Sequence, residues 1–323
     1  MLDVGDYTVG WVCALPAENL AAQEFLHEEH EGPEWRSKGD TNSYRLGRIG
    51  KHNTVIAVLP LGEYGTASAA VVATNMVRSF PNISIGLMVG IGGGAPRLPH
   101  RDVRLGDVVV SYQENGHGGV FQYDFGKSIQ ERSFEYTQPL HQPPQALLTA
   151  IAGLRKRHNE TGNGLLKAVN QVLEKNPTIK DRFGRPSSDT DILFESDFVH
   201  AGGSCASCYS QGSDRVIPRP EREPGLNDGL VIHYGTIASG NTLMKDALLR
   251  DRLADEKNLL CFEMEAAGLM NTFPCVAIRG FAALAAAAYA RDLVNYLVPE
   301  RVQEEKKLTY LRWFEFERIK EKV

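Results

Sequence analysis

The apolar residues of the chain fall in short runs, and stretches with helical spacing lie between them. "YTVGWVCAL" (7–15) reads as a buried strand. "PAENLAAQEFLHEE" (16–29) follows with Leu20, Ala21, Phe25 and Leu26 on one helical face, and Pro16 suits its first turn. The apolar run "NTVIAVLPLG" (53–62) ends in glycine, and "GTASAAVVATNMVRSF" (65–80) predicts a small-residue helix lying close on a sheet. "SIGLMVGIGGGAP" (84–96) predicts a strand running into a glycine turn, and "LGDVVVSYQ" (105–113) predicts another strand. Later come the strand "GLVIHYGTIASGN" (229–241), the helix "LMKDALLRDRLADE" (243–256) and a strand with its helix in "LLCFEMEAAGLMNTF" (259–273). In "PCVAIRGFAALAAAAYARDL" (274–293), Cys275–Ile278 reads as strand and Ala282–Leu293 as helix, with only Arg279, Gly280 and Phe281 between them. Strands apolar on both faces, alternating with helices, predict an α/β fold with a mostly parallel sheet covered on both sides.

The pattern changes between about Phe125 and Leu226, where prolines, charges and polar turns accumulate. Helices are predicted over 143–158 and 164–175, and 176–228 reads as a long irregular insertion. A segment that long inside a compact domain is a lid, a binding loop or disorder. The end of the chain, "EEKKLTYLRWFEFERIKEKV" (304–323), predicts a helix, so the expected organisation is a domain over 1–300 and a helical tail over 301–323.

A net charge of −5 gives no electrostatic footprint for nucleic acid or an anionic membrane. The N-terminus has no basic stretch before an apolar run, so no secretory signal is expected, and the apolar stretch 281–290 is too short to span a bilayer. The five cysteines are an odd number, and Cys13, Cys261 and Cys275 lie in strand-like runs, which favours a reducing cytosolic or nuclear compartment, with the cytoplasm as the expected location. Cys205 and Cys208, with His200, give half of a zinc site; no second pair lies nearby, so a surface loop with a labile disulfide is the preferred reading and no metal is assigned.

Two motifs carry chemistry. Gly90, Gly92, Gly93 and Gly94 follow a strand, where glycines let backbone N–H groups approach a ligand closely. Their spacing departs from the dinucleotide fingerprint, so no such cofactor is expected; a tight turn alone is the other reading. In "FEMEAAG" (262–268), Glu263 and Glu265 are two residues apart and point to one face. A carboxylate there can accept two hydrogen bonds from a vicinal diol. Their apolar neighbours imply burial, which calls for a ligand or partner.

The order "GWVCALPAE", "LGEYGTASAA", "VGIGGG", "RLGDVVVS", "TIASGN", "FEMEAAG" and "VAIRG" resembles the nucleoside phosphorylase and nucleosidase superfamily over roughly residues 7–295. It is most similar to the fungal phosphorylase-like domains found at the N-terminus of larger receptor-like proteins with NTPase or ankyrin modules. The resemblance implies a three-layer α/β/α sandwich with a mixed, mostly parallel sheet, and cleavage of the N-glycosidic bond of purine nucleosides without cofactor. It places Glu265 on the ribose hydroxyls with Met264 beside it, Gly92 and Gly93 on the ribose or nucleophile pocket, Asn241 near the base, and Arg279 at the pocket border. Glu18 matches the nucleosidase glutamate that positions and deprotonates water; phosphorylases carry a glycine-containing phosphate loop there, so water is favoured over phosphate as nucleophile. On the residues alone, Glu18 reads equally as a helix N-terminal acid. The resemblance also implies assembly into dimers, trimers or hexamers.

One expected element is missing. In relatives the strand matching "VAIRG" leads into a loop whose aspartate protonates the departing purine, help worth roughly 10²–10⁴-fold. Here Gly280 is followed at once by the helix-like "FAALAAAAYARDL", and Asp292 is about three helical turns on. Either the chain has lost the segment or the gene reading skipped a coding stretch. A catalytically degenerate domain that senses nucleosides or binds proteins is therefore the alternative function. Weaker signals are "GGVFQYDFGK" (118–127), a base cover or a hairpin, and Arg97, Arg101 and Arg104, phosphate contacts or a solvated turn.

Overall fold

The computed structural model describes residues 2–33, 35–113, 118–137, 139–183, 190–200, 208–210, 212–222 and 229–305. In chain order the strands are β1 (Val9–Cys13), β2 (Glu28–His30), β3 (Tyr44–Ile49), β4 (His52–Val58), β5 (Ile85–Ile91), β6 (Gly93–Gly94), β7 (Val108–Ser111), β8 (Val120–Gln122), β9 (Gly126–Lys127), β10 (Glu135–Tyr136), β11 (Ile232–Ser239), β12 (Leu259–Glu263) and β13 (Cys275–Gly280). The helices are α1 (Pro16–Gln23), α2 (Thr66–Ser79), α3 (Gln145–Thr161), α4 (Leu165–Lys175), α5 (Pro177–Phe183), α6 (Ala247–Lys257), α7 (Ala266–Leu269), α8 (Ala283–Tyr296) and α9 (Pro299–Glu304).

Successive side chains of the central strands feed two cores. Val9, Trp11 and Cys13 of β1 join one apolar cluster and Val12 the other; in β5, Ile85, Leu87 and Val89 face one way and Met88 the other. The first cluster is completed by α1, α3, α4 and α8, and the second by α2 and α7. That is the three-layer α/β/α arrangement, with six parallel strand pairings around β1, β5, β7, β11 and β13 and antiparallel pairings at β2–β3, β3–β4, β13–β7 and β12–β6.

The strand order is β2-β3-β4-β1-β5-β13-β7-β11-β12-β6, with β8 beside β11. β6 follows β5 across Gly92 alone, and it pairs with Cys261 and Phe262 of β12. The far edge is thereby joined back to the middle, so β5, β13, β7, β11 and β12 form a closed ring. β11 makes this possible: it pairs with β7 over Ile232–Gly235, shifts register between Thr236 and Ile237, and then pairs with β8 and β12. The expected turn at 92–94 is thus a seam strand. The segments that leave β1, β5, β11 and β12 at their carboxyl ends gather at this seam, the place where open α/β sheets bind ligands.

Three other expectations shift. The helix expected over 16–29 ends at Gln23, because Glu28, Glu29, His30 and Glu31 offer no apolar face; residues 28–30 form the edge strand instead. "GGVFQYDFGK" contributes β8 to the main sheet and β9 to a small hairpin with β10. The packed body reaches Glu305: Val302 is buried, Ser84 Oγ donates to its carbonyl at 2.9 Å, and Glu305 accepts the Ala146 N–H that opens α3. The tail beyond it, 306–323, lies outside the described residues.

Within the insertion, the stretch 212–222 is fastened to the body. Arg222 makes two 2.6 Å hydrogen bonds to the fully buried Asp107, whose carboxylate also meets His233 Nε2 at 2.9 Å. Burial alone would raise Asp107; the bonds from Arg222 and His233 reverse this and hold it below the usual carboxylate value. The Asp107 carbonyl accepts the N–H of Phe281, so the insertion is tied next to the short β13–α8 connection, which is Phe281 and Ala282 alone. That connection leads into a helix buried on all sides from Ala283 to Ala290.

Candidate active site

Glu18 sits in the first turn of α1, 3% exposed. Its Oε2 accepts the N–H groups of Ala14 (2.8 Å) and Leu15 (3.0 Å), and its Oε1 accepts that of Ile91 (2.8 Å). It is therefore the cap of its helix and also a clamp between the carboxyl ends of β1 and β5. Gly90 leaves the space for this: a Cβ there would overlap both the Glu18 carboxylate and the Arg279 guanidinium.

Arg279 is fully buried at the end of β13. It pairs with Glu263 and lies 3.3 Å from Glu265 Oε2. Glu263 closes β12 and caps α7, accepting the N–H of Glu265 (3.0 Å) and of Ala266 (3.1 Å). Glu265 Oε1 accepts the N–H of Gly65 (3.2 Å), the residue before α2. One guanidinium thus serves a cluster of three carboxylates. Burial alone would weaken the hold of Arg279 on its proton, but Glu263, Glu265 and Glu18 reverse that and keep it charged. Glu265 is pushed up to about 7, by burial first and by Glu263 and Glu18, against the opposing pull of Arg279 and Gly65.

A second anchor holds the opposite wall. Asn241 donates its backbone N–H (2.6 Å) and its Nδ2 (3.2 Å) to Asp124 Oδ2, while its Oδ1 accepts the N–H and hydroxyl of Thr66, both at 3.0 Å. Glu265 and Asn241 therefore grip the first residues of α2 together. α7 crosses α2 at the same point, and a Cβ on Gly268 would overlap the Thr66 carbonyl oxygen. Gly268→Ala is expected to lower stability by about 1–3 kcal/mol and to weaken ligand binding by spreading both anchors. Urea unfolding with a binding titration checks this; unchanged values in both would contradict it.

These groups surround a cleft of about 720 Å³. Glu18, Gly92, Gly93, Asn241, Met264 and Glu265 all line it, with Glu263, Tyr64, Phe262 and Leu243. Arg279, expected at the pocket border, is not on the wall: it lies behind Glu263 and Glu265 because it neutralises them from the protein side. Glu263 and Tyr64 were not assigned from the sequence. Glu263 carried a signal in its two-residue spacing from Glu265; Tyr64 carried none beyond its place in "LGEYGTASAA". Among the described residues, no lysine, arginine or histidine lines the cleft.

The weaker candidates fall elsewhere. Arg97 bonds Ala254, Asp255 and Asn258, Arg101 bonds Asn258, and Arg104 bonds Asp102 at 2.6 Å. His200 Nδ1 lies 2.8 Å from Cys208 Sγ, while Cys205 is outside the described residues. Among the described residues no group of three or more metal-binding side chains is found, and no helix is long and apolar enough to cross a membrane.

Comparison with known proteins agrees with this architecture. The 5′-methylthioadenosine/S-adenosylhomocysteine nucleosidase of Helicobacter pylori superposes with a TM-score of 0.55 at 15% identity, covering 91% of this chain and 100% of that one. The chain has the nucleoside phosphorylase and nucleosidase fold. The futalosine hydrolase of Helicobacter pylori matches with a TM-score of 0.55 at 14% identity over 90% of this chain and 99% of that one. The Neisseria meningitidis methylthioadenosine/S-adenosylhomocysteine nucleosidase, in complex with methylthio-immucillin-A, gives 0.53 at 15% identity over 90% and 99%. No family model matches the sequence. A nucleotide-binding leucine-rich repeat (NLR)-like protein of the fungus Hyaloscypha variabilis is 41% identical over 313 residues, 92% of this chain; the chain spans 30% of that relative's length. The resemblance carried by the motifs is borne out at the level of the fold.

Proposed function

We propose that the cleft binds a nucleoside and that turnover, where it occurs, uses water and not phosphate. The observation that carries this is the charge of the wall: three carboxylates, with no cation lining the cleft among the described residues. A phosphate dianion would be repelled there, and among the described residues no side-chain cation lines the cleft to offset its loss of hydration. In this reading Glu265 accepts the ribose diol beside Met264, Gly92 and Gly93 let the sugar approach the backbone, and Asn241 stands at the base. Glu18, held by three N–H groups, orients the water and takes its proton. Arg279 acts through Glu265 by keeping an ionised carboxylate available. The fold's resemblance to nucleosidases solved with nucleoside analogues supports the same assignment. The buried free cysteines Cys13, Cys208, Cys261 and Cys275 support a reducing, cytoplasmic setting.

A second reading, a nucleoside sensor without turnover, is favoured by the two-residue β13–α8 connection, which brings no acid to the departing base. Release of free base from adenosine, inosine and guanosine, with and without phosphate, decides between them. The hydrolytic reading expects release that does not depend on phosphate and that falls about 10²-fold or more in Glu18→Gln. Release only with phosphate would contradict it, and binding with no release at all selects the sensor.

A further inference from the structure

We infer that the cleft is matched to N-ribosides whose leaving group already carries a positive charge, such as 7-alkylpurine or pyridinium ribosides. The inference rests on the nucleoside reading above. Glu18, Glu263 and Glu265 line one wall, and the guanidinium beside them among the described residues, Arg279, lies behind that wall and is occupied by Glu263 and Glu265. A neutral purine that leaves without a proton becomes an anion and must do so next to these carboxylates.

Among the described residues, the other wall offers no ionisable acid: it is formed by Asn241, Thr242 and Leu243. The nearest acid tied to it, Asp124, is an acceptor on both oxygens: Oδ2 takes two bonds from Asn241, and Oδ1 takes one from Gln122 Nε2 at 3.0 Å. The β13–α8 connection supplies only Phe281 and Ala282. Two aromatic residues, Tyr64 and Phe262, also line the cleft, and aromatic rings attract cationic heterocycles.

With such a substrate the chemistry needs no acid. The C1′–N bond breaks and its electron pair returns to the ring nitrogen, cancelling the positive charge, so the heterocycle leaves neutral. Water forms the new C1′–O bond and one of its protons passes to Glu18 and then to solvent. The balance is riboside cation plus water giving ribose, neutral heterocycle and one proton. The same carboxylates that oppose an anionic leaving group attract this substrate and stabilise positive charge developing on the ribose.

The test compares 7-methylguanosine and nicotinamide riboside with guanosine, measuring both free base released and equilibrium binding. The expected result is that all bind and that kcat/KM for the two cationic ribosides exceeds that for guanosine by about 10²-fold or more, the size of the missing general-acid help. Equal rates, or faster guanosine cleavage, would overturn the inference. So would binding of all three with no cleavage, which leaves the nucleoside-binding reading intact. If none binds, that reading and this inference fall together.

Discussion

Replacing Arg279 with methionine is expected to destabilise the domain by about 3–5 kcal/mol, the usual consequence of removing one partner of a buried ion pair. The size follows from its surroundings. Arg279 is fully buried, and it is the cation that pairs with Glu263 and Glu265. Methionine fills similar space without charge, so the loss is electrostatic, not a cavity. Two carboxylates would be left in an apolar interior and would take up protons to relieve the charge. The deficit against wild type, measured by urea unfolding, should therefore shrink as pH falls from 8 to 5. A variant with wild-type stability at pH 8 would show that the guanidinium does not balance the cluster.

The second large effect is a pH dependence that Glu265→Gln removes. Glu265 titrates in the folded protein at about 7, above its ordinary value of 4.5. Between those values the folded state holds a proton that the unfolded state releases, so stability declines as pH rises through the window and levels off above it. The fall from this residue is about 3 kcal/mol at most. A diol needs the ionised acceptor, so nucleoside affinity should rise over the same window while stability falls. In Glu265→Gln, both curves should flatten in their Glu265-dependent part. Urea unfolding at pH 5, 6, 7 and 8 reads the stability side; identical pH profiles for the two proteins would contradict the assignment.

Much of this was legible in the residues, for identifiable reasons. Strands such as β1 and β5 are covered on both faces and read as continuous apolar runs, and α2 and α8 are rich in small residues because they lie close on the sheet. Six of the seven expected site residues lie on one cleft because they leave strands at their carboxyl ends, where motif and topology coincide. The closure of the ring through β6 was not legible, since Gly93 and Gly94 carry no side-chain pattern at all. β3, paired on both sides by β2 and β4, reads Tyr-Arg-Leu-Gly-Arg-Ile, with arginines and a glycine where an apolar run would be the signal. The place of Arg279 behind the wall and the space left by Gly90 and Gly268 depend on contacts between segments far apart in sequence, which no local spacing encodes.

The short β13–α8 connection joins these threads. It keeps the fold, because two residues suffice to turn from β13 into the buried α8, and those two residues, Phe281 and Ala282, carry no acid. In the proposed reading, binding and hydrolysis are then separable, with the carboxylate wall serving both.

Calorimetric titration of guanosine into wild type and Glu265→Gln at pH 6 and pH 8 tests the central claim most directly. The account predicts tighter binding by wild type at pH 8 than at pH 6, and affinity about 10²-fold weaker in Glu265→Gln at pH 8, the loss of charge-assisted bonds to a diol. Equal affinity in the two proteins at both pH values would contradict it.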